Sequence, residues 1–161
     1  MAIHQDNLVN ASITALNNAV QDTLETLAFT EAVPVAAARV EPLSAPFYVT
    51  TLEVKQPYAG SIRLMIGREL AISLVSSMLG GSDPMGDASV QDGLCELVNT
   101  ISGRILAHLV DNSSSFDLGI PQTIFMETAR PRDPDVLVRQ TYALNEGSIE
   151  LELAFKKGQA A

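Results

Sequence analysis

Residues 87–112 read DASVQDGLCELVNTISGRILAHLVDN, and their spacing predicts one long helix. At about 100° per residue, Leu97, Val98, Ile101, Ile105 and Leu109 all fall within about 60° of Leu94. That stripe is built to pack. Glu96, Asn99 and Gly103 fall on the opposite side, near 200°, 140° and 180° at the same pitch, and Asp92 joins them. Glu96 and Asn99 are three residues apart, so their side chains are neighbours. Many such faces are only solvated. Asn, however, is a mediocre helix former, and Gly costs about 1 kcal/mol against Ala inside a helix. A glycine that packs against nothing in its own domain makes sense where another molecule comes close. Leu106 and Cys95 sit at the border of this face. The expected docking face is therefore Asp92, Glu96, Asn99, Gly103 and Leu106. Ser89, with Asp92 three residues on, is the expected cap of the helix.

Working outward, RELAISLVSSML (68–79) predicts a short helix, and GGSDPMGD (80–87) a loop. YAGSIRLMIG (58–67) alternates, with Ile62, Leu64 and Ile66 one way and Ser61 and Arg63 the other. VPVAAARV (33–40) and PFYVTTLEV (46–54) predict two more strands, separated from their neighbours by Pro42, Pro46 and Pro57. Residues 8–29 carry Val9, Ile13, Leu16, Val20, Leu24 and Leu27 at helical spacing. After the long helix come PQTIFMET (121–128), DVLVRQTYAL (135–144) and SIELELAF (148–155), the last two joined as a hairpin by NEG at 145–147.

The expected fold is α+β, a largely antiparallel six-stranded sheet with two long helices and one short helix packed on one face. One domain spans residues 1–161, a length that suits a single core. A long helix followed by three strands occurs twice, which hints at two degenerate halves, 8–67 and 87–156. Laying AVQDTLETLAF over VQDGLCELVNT sets Glu25 on Glu96 and Ala28 on Asn99. Both would then face outward on the first helix.

Composition excludes several classes. Hydrophobic residues make 47% of the chain and charged residues 18%, which is globular. The formal charge of −9 opposes nucleic acid and anionic membranes as partners. LAISLVSSML is too short to span a bilayer. MAIHQDNLVN has no signal-peptide pattern, so a cytoplasmic location is expected. Cys95 is the sole cysteine, and it reads as structural. His4 and His108 are far apart, so no metal cluster is expected. His108, at the edge of the apolar stripe, reads as packed or interfacial. GGSDPMGD lacks the Lys-Ser/Thr of a phosphate loop, ARPRDPD (129–135) reads as an exposed turn, and Ser113–Ser115 lack a nucleophile context.

Asn99 cannot titrate, but its carboxamide both accepts and donates hydrogen bonds, so it can hold a water. Glu96 can pair with a lysine or arginine. Together they suit assisted hydrolysis of a phosphoryl group whose electrophile and metal come from elsewhere.

DGLCELVNTISGRILAHL, followed by FDLGIPQTI, resembles the CheC/CheX family of chemotaxis phosphatases, and DTLETLAF resembles the first helix of CheX-like members. The resemblance covers residues from about 8 to 156. It implies a CheC-like fold and removal of phosphate from the aspartate of a phosphorylated CheY-like receiver domain. Glu96 would engage the receiver's lysine and Asn99 would position the attacking water. Mg²⁺ would belong to the receiver, with no cofactor bound by this chain. One E-x-x-N motif, where the first helix has Glu25 but Ala28, is similar to CheX rather than CheC. The resemblance also implies a homodimer formed through sheet edges. Flagellar switch proteins of the FliM type share the fold and only bind, so a non-catalytic interaction module is the alternative.

Overall fold

A computed structural model describes residues 5–43, 45–56, 58–81, 86–110, 116–128 and 135–160. The long helices are α1 (Gln5–Ala28) and α3 (Asp87–Leu109), and the short one is α2 (Arg68–Met78). The strands are β1 (Val33–Val35), β2 (Phe47–Gln56), β3 (Tyr58–Gly67), β4 (Asp117–Leu118), β5 (Gln122–Met126), β6 (Val136–Leu144) and β7 (Gly147–Ala160). They form one sheet in the order β1-β6-β7-β3-β2, with β4 and β5 both pairing along the remaining edge of β2. Every pairing is antiparallel. Exchanging β1 for β5, β6 for β2 and β7 for β3 reproduces the order from the other edge.

The alternation of β3 explains its place at the centre. Ile62, Leu64 and Ile66 pair with Leu153, Leu151 and Ile149 of β7, and all six are buried on the helix side. The other side of β3 carries Ser61, Arg63 and Met65. There Arg63 pairs with Glu152, and Arg139 of β6 reaches both Glu152 and Glu150. Asn145 and Glu146 form the two-residue turn of the β6–β7 hairpin, as NEG predicts.

The helices lie over the apolar side. Leu16, Val20 and Leu24 of α1 and Leu94, Leu97, Val98, Ile101 and Ile105 of α3 enter the same core. Gly93 lets α2 sit against α3: a Cβ there would stand 2.3 Å from Val75 Cγ1. The α1 helix ends with Phe29 in the left-handed region, φ 53°, and Thr30 N–H returning to Leu24 O at 3.1 Å. No helix among the described residues is long and apolar enough to cross a membrane.

The α+β antiparallel architecture is as the sequence predicts, with adjustments. A seventh, two-residue strand, β4, precedes β5. The strand expected over 33–40 stops at Val35, and Ala37–Arg39 form a 3-10 turn. Beyond Val35 three alanines offer little side chain to pack. Ser89 does not cap α3. Gly86 occupies the cap without a side-chain bond, and Ser89 lies inside the first turn. Asp87 instead accepts the Tyr48 hydroxyl at 2.8 Å and stands 3.7 Å from Arg68. The central residues of GGSDPMGD (82–85), Ser113–Ser115 and most of ARPRDPD (129–134) lie outside the described residues.

Candidate functional site

The outward face of α3 carries Asp92, Glu96 and Asn99, all exposed. Gly103 follows Asn99 by one turn, and a Cβ placed on it would meet nothing within 4 Å. The face is thus open along the ridge from Asn99 to Gly103. Neither the Glu96 carboxylate nor the Asn99 carboxamide bonds to another described residue, so both are available to an outside group.

Each flank of this face is fixed by a different element. On one side Cys95 Sγ lies 3.3 Å from Thr123 Oγ1 and 3.5 Å from Pro121 O, which ties α3 to β5. Thr123 Oγ1 in turn meets Thr50 Oγ1 of β2 at 2.8 Å. Cys95 is half-buried and engaged, in keeping with a structural thiol. On the other side Arg104 donates to Thr23 Oγ1 of α1 at 3.3 Å. Thr100 Oγ1 donates back to Glu96 O at 3.0 Å. Rotation of α3, and so the direction of Glu96 and Asn99, is set by these two flanks together with the buried stripe.

Leu106 does not belong to the docking face. It is wholly buried in the core, as is Ser102 one turn before it. The wheel placed Leu106 at a border, but the packed neighbours of that flank close over it. His108 is exposed rather than packed within the chain, with Nδ1 2.8 Å from Arg104 O. Among the described residues, no group of three or more His, Cys, Asp or Glu is placed to hold a metal ion.

The expected match of Glu25 and Ala28 to Glu96 and Asn99 fails. Glu25 is exposed, but Ala28 is 2% exposed and sits in the core. Burial gives a different register. Ser12, Leu16, Val20, Thr23 and Leu24 are buried on α1 as Leu94, Val98, Ser102, Ile105 and Leu106 are on α3. That register brings Thr14 to Glu96 and Asn17 to Asn99. The polar residues Ser12 and Thr23 are wholly buried, so an apolar-only wheel missed them. Asn17 is not free like Asn99, because its Oδ1 accepts the Tyr142 hydroxyl at 2.6 Å.

Sequence reasoning also missed an apolar strip along the β5 edge. Ile120 is 86% exposed, Ile124 54% and Phe125 39%. The alternation of PQTIFMET showed a strand but not that, among the described residues, its outer edge has no partner strand.

The family model for chemotaxis phosphatase CheX matches residues 48–135. No curated protein matches the sequence. Several solved structures share the fold. The chemotaxis protein CheX from Desulfovibrio desulfuricans is 20% identical with a TM-score of 0.75, over 90% of this chain and 99% of that one. CheX from Vibrio vulnificus is 17% identical with a TM-score of 0.73, over 90% and 96%. A CheX–CheY–BeF3–Mg²⁺ complex from Borrelia burgdorferi gives 18% and 0.71, over 90% and 97%. At these identities the structures establish the fold alone. The family match spans more than half of the chain and contains Asp92, Glu96, Asn99 and Gly103, and on that ground the chain belongs to the CheX family of chemotaxis phosphatases.

Proposed function

We propose that this chain docks α3 on a phosphorylated CheY-like receiver and accelerates hydrolysis of its aspartyl phosphate. The carrying observation is the Glu96–Asn99 pair, exposed side by side on a firmly held helix with no side-chain partner among the described residues. The Asn99 carboxamide oxygen accepts a hydrogen bond from the attacking water and so orients the water oxygen toward phosphorus. The P–O bond to the aspartate breaks as water adds, releasing inorganic phosphate and the free carboxylate. Asn99 takes up no proton, so its contribution is positioning. Glu96 pairs with a lysine of the receiver and fixes the docked geometry. Mg²⁺ is held by the receiver. Family membership supports the reading, as does a solved relative from Borrelia burgdorferi described as a complex with CheY. The test is phosphate release from a phosphorylated receiver of the same organism. Acceleration that is lost in Asn99→Ala supports the reading, whereas an unchanged phosphate lifetime with retained binding favours the non-catalytic module.

We also propose a homodimer through the β5 edge. Of the two sheet edges, β1 is three residues long and carries Pro34, which removes a ladder donor. The β5 edge is longer and exposes Ile120, Ile124 and Phe125. A second copy adding there would cover apolar surface and satisfy unpaired backbone groups.

A further inference from the structure

Residues four apart line a single ridge on a helix surface. On α3 one such ridge reads Asp92, Glu96, Thr100, Arg104, His108. It is acidic in its first half and basic in its second, with the Asn99–Gly103 ridge alongside. Arg104 is the unusual member. Of the other described arginines, Arg63, Arg68 and Arg139 each stand within 4.0 Å of a carboxylate, and Arg39 is exposed to solvent. Arg104 is half-buried in the seam between α3 and α1, and among the described residues its partner is the neutral hydroxyl of Thr23. A chain of net charge −9 has ample carboxylates, yet none of those described stands in an ion pair with Arg104. The helix dipole does not account for it, since that effect is confined to the last turn, and Arg104 stands before it.

We infer that Arg104 is a specificity-determining contact that receives an acidic side chain of the docked receiver. The inference rests on the function proposed above and adds the second anchor of the same site. Glu96 and Arg104 are eight residues apart, about 12 Å along the axis at 1.5 Å per residue. A single ion pair at Glu96 would leave the partner free to swivel about that point. A second pair of opposite sign, five residues beyond Asn99 along the helix, fixes which way the receiver lies along α3. The matching surface carries a basic group and an acidic group offset by about 12 Å along the helix axis and about 80° around it. Reversed orientations then set like charges against each other and are rejected.

Steady-state turnover of the phosphorylated receiver tests this. Arg104→Gln removes the charge and keeps a polar, helix-compatible side chain; KM should rise roughly tenfold with kcat within about twofold of wild type. Arg104→Glu should raise KM further, and Arg104→Lys should recover most of the loss. Thr23→Val, which removes only the internal hydrogen bond, should leave KM unchanged. A folded Arg104→Gln chain with wild-type KM overturns the inference, as does a Thr23→Val chain with the same KM rise. Those outcomes are separate from failure of the proposed function, which shows as no acceleration by the wild-type chain.

Discussion

The Tyr142 hydroxyl donates to Asn17 Oδ1 at 2.6 Å, and through that bond β6 holds the one amide on α1 that matches Asn99 in burial register. Asn99 has no such holder among the described residues. Thr14 moreover stands where α3 has Glu96. The two helices are alike in how they pack and different in what they offer outward.

Asn17→Ala should therefore leave receiver dephosphorylation unchanged, whereas Asn99→Ala should lower kcat by about 10²–10³-fold. Phosphate release under single-turnover conditions checks both. Equal losses from the two variants would place catalysis on both helices.

Glu96→Ala should act mainly on binding. Removing one partner of a desolvated ion pair costs about 2–5 kcal/mol, because the other charge is left buried and unpaired. Titration calorimetry with the receiver should show weaker affinity for Glu96→Ala, while Glu25→Ala on α1 should bind like wild type. A Glu96→Ala chain that binds with unchanged affinity would remove the anchor role.

Two glycines of α3 should respond oppositely to alanine. A Cβ on Gly93 meets Val75 Cγ1 at 2.3 Å, so Gly93→Ala should destabilise by about 1–3 kcal/mol through overpacking. Val75→Ala in the same chain should recover part of that loss. A Cβ on Gly103 meets nothing within 4 Å, so Gly103→Ala should stabilise by about 1 kcal/mol through helix propensity. If the receiver approaches this ridge closely, the same change raises KM. Thermal melts and turnover of the two variants separate the effects.

Ile124→Lys should convert the proposed dimer to monomer, read by light scattering. Ile124 is 54% exposed on an edge strand, so the charge is tolerated by the folded chain but not by a second copy laid against it. A dimer that persists in this variant would move the interface away from β5.

Two phenols should shape the alkaline limit of stability. Burial pushes the Tyr142 hydroxyl up from its ordinary value. Burial and then the hydrogen bond to Asp87 raise Tyr48, with Arg68 opposing in part. A pKa raised on folding means the folded chain holds the proton more tightly. The stabilisation is therefore fully present below the unfolded value of about 10 and is lost as pH rises through the folded values. The melting temperature should hold from neutral pH to about 9 and fall above about 10. Tyr142→Phe should flatten that fall. At neutral pH the same variant should lose about 1 kcal/mol with the Asn17 bond, roughly 2–4 °C in Tm. Tyrosine absorbance during an alkaline titration checks the order of ionisation.

The sequence by itself determined what depends on local period. The apolar stripe of α3, the alternation of Ile62, Leu64 and Ile66 and the outward side of Glu96 and Asn99 follow from 3.6 and 2.0 residue repeats, and the turn at Asn145–Glu146 from its own turn residues. The tertiary structure decided what depends on which surfaces meet. Leu106 is buried because its flank is covered, and Gly93 is needed because α2 crosses there. The strand order reads alike from either edge, and the matching burial of α1 and α3 sets Asn17, not Ala28, in register with Asn99. Tyr142 and Asn17 are 125 residues apart, and Thr23 and Arg104 are 81 apart. A helix wheel assigns a direction to each side chain, but only the packed neighbour decides whether that direction leads to solvent, to a hydroxyl or to the core.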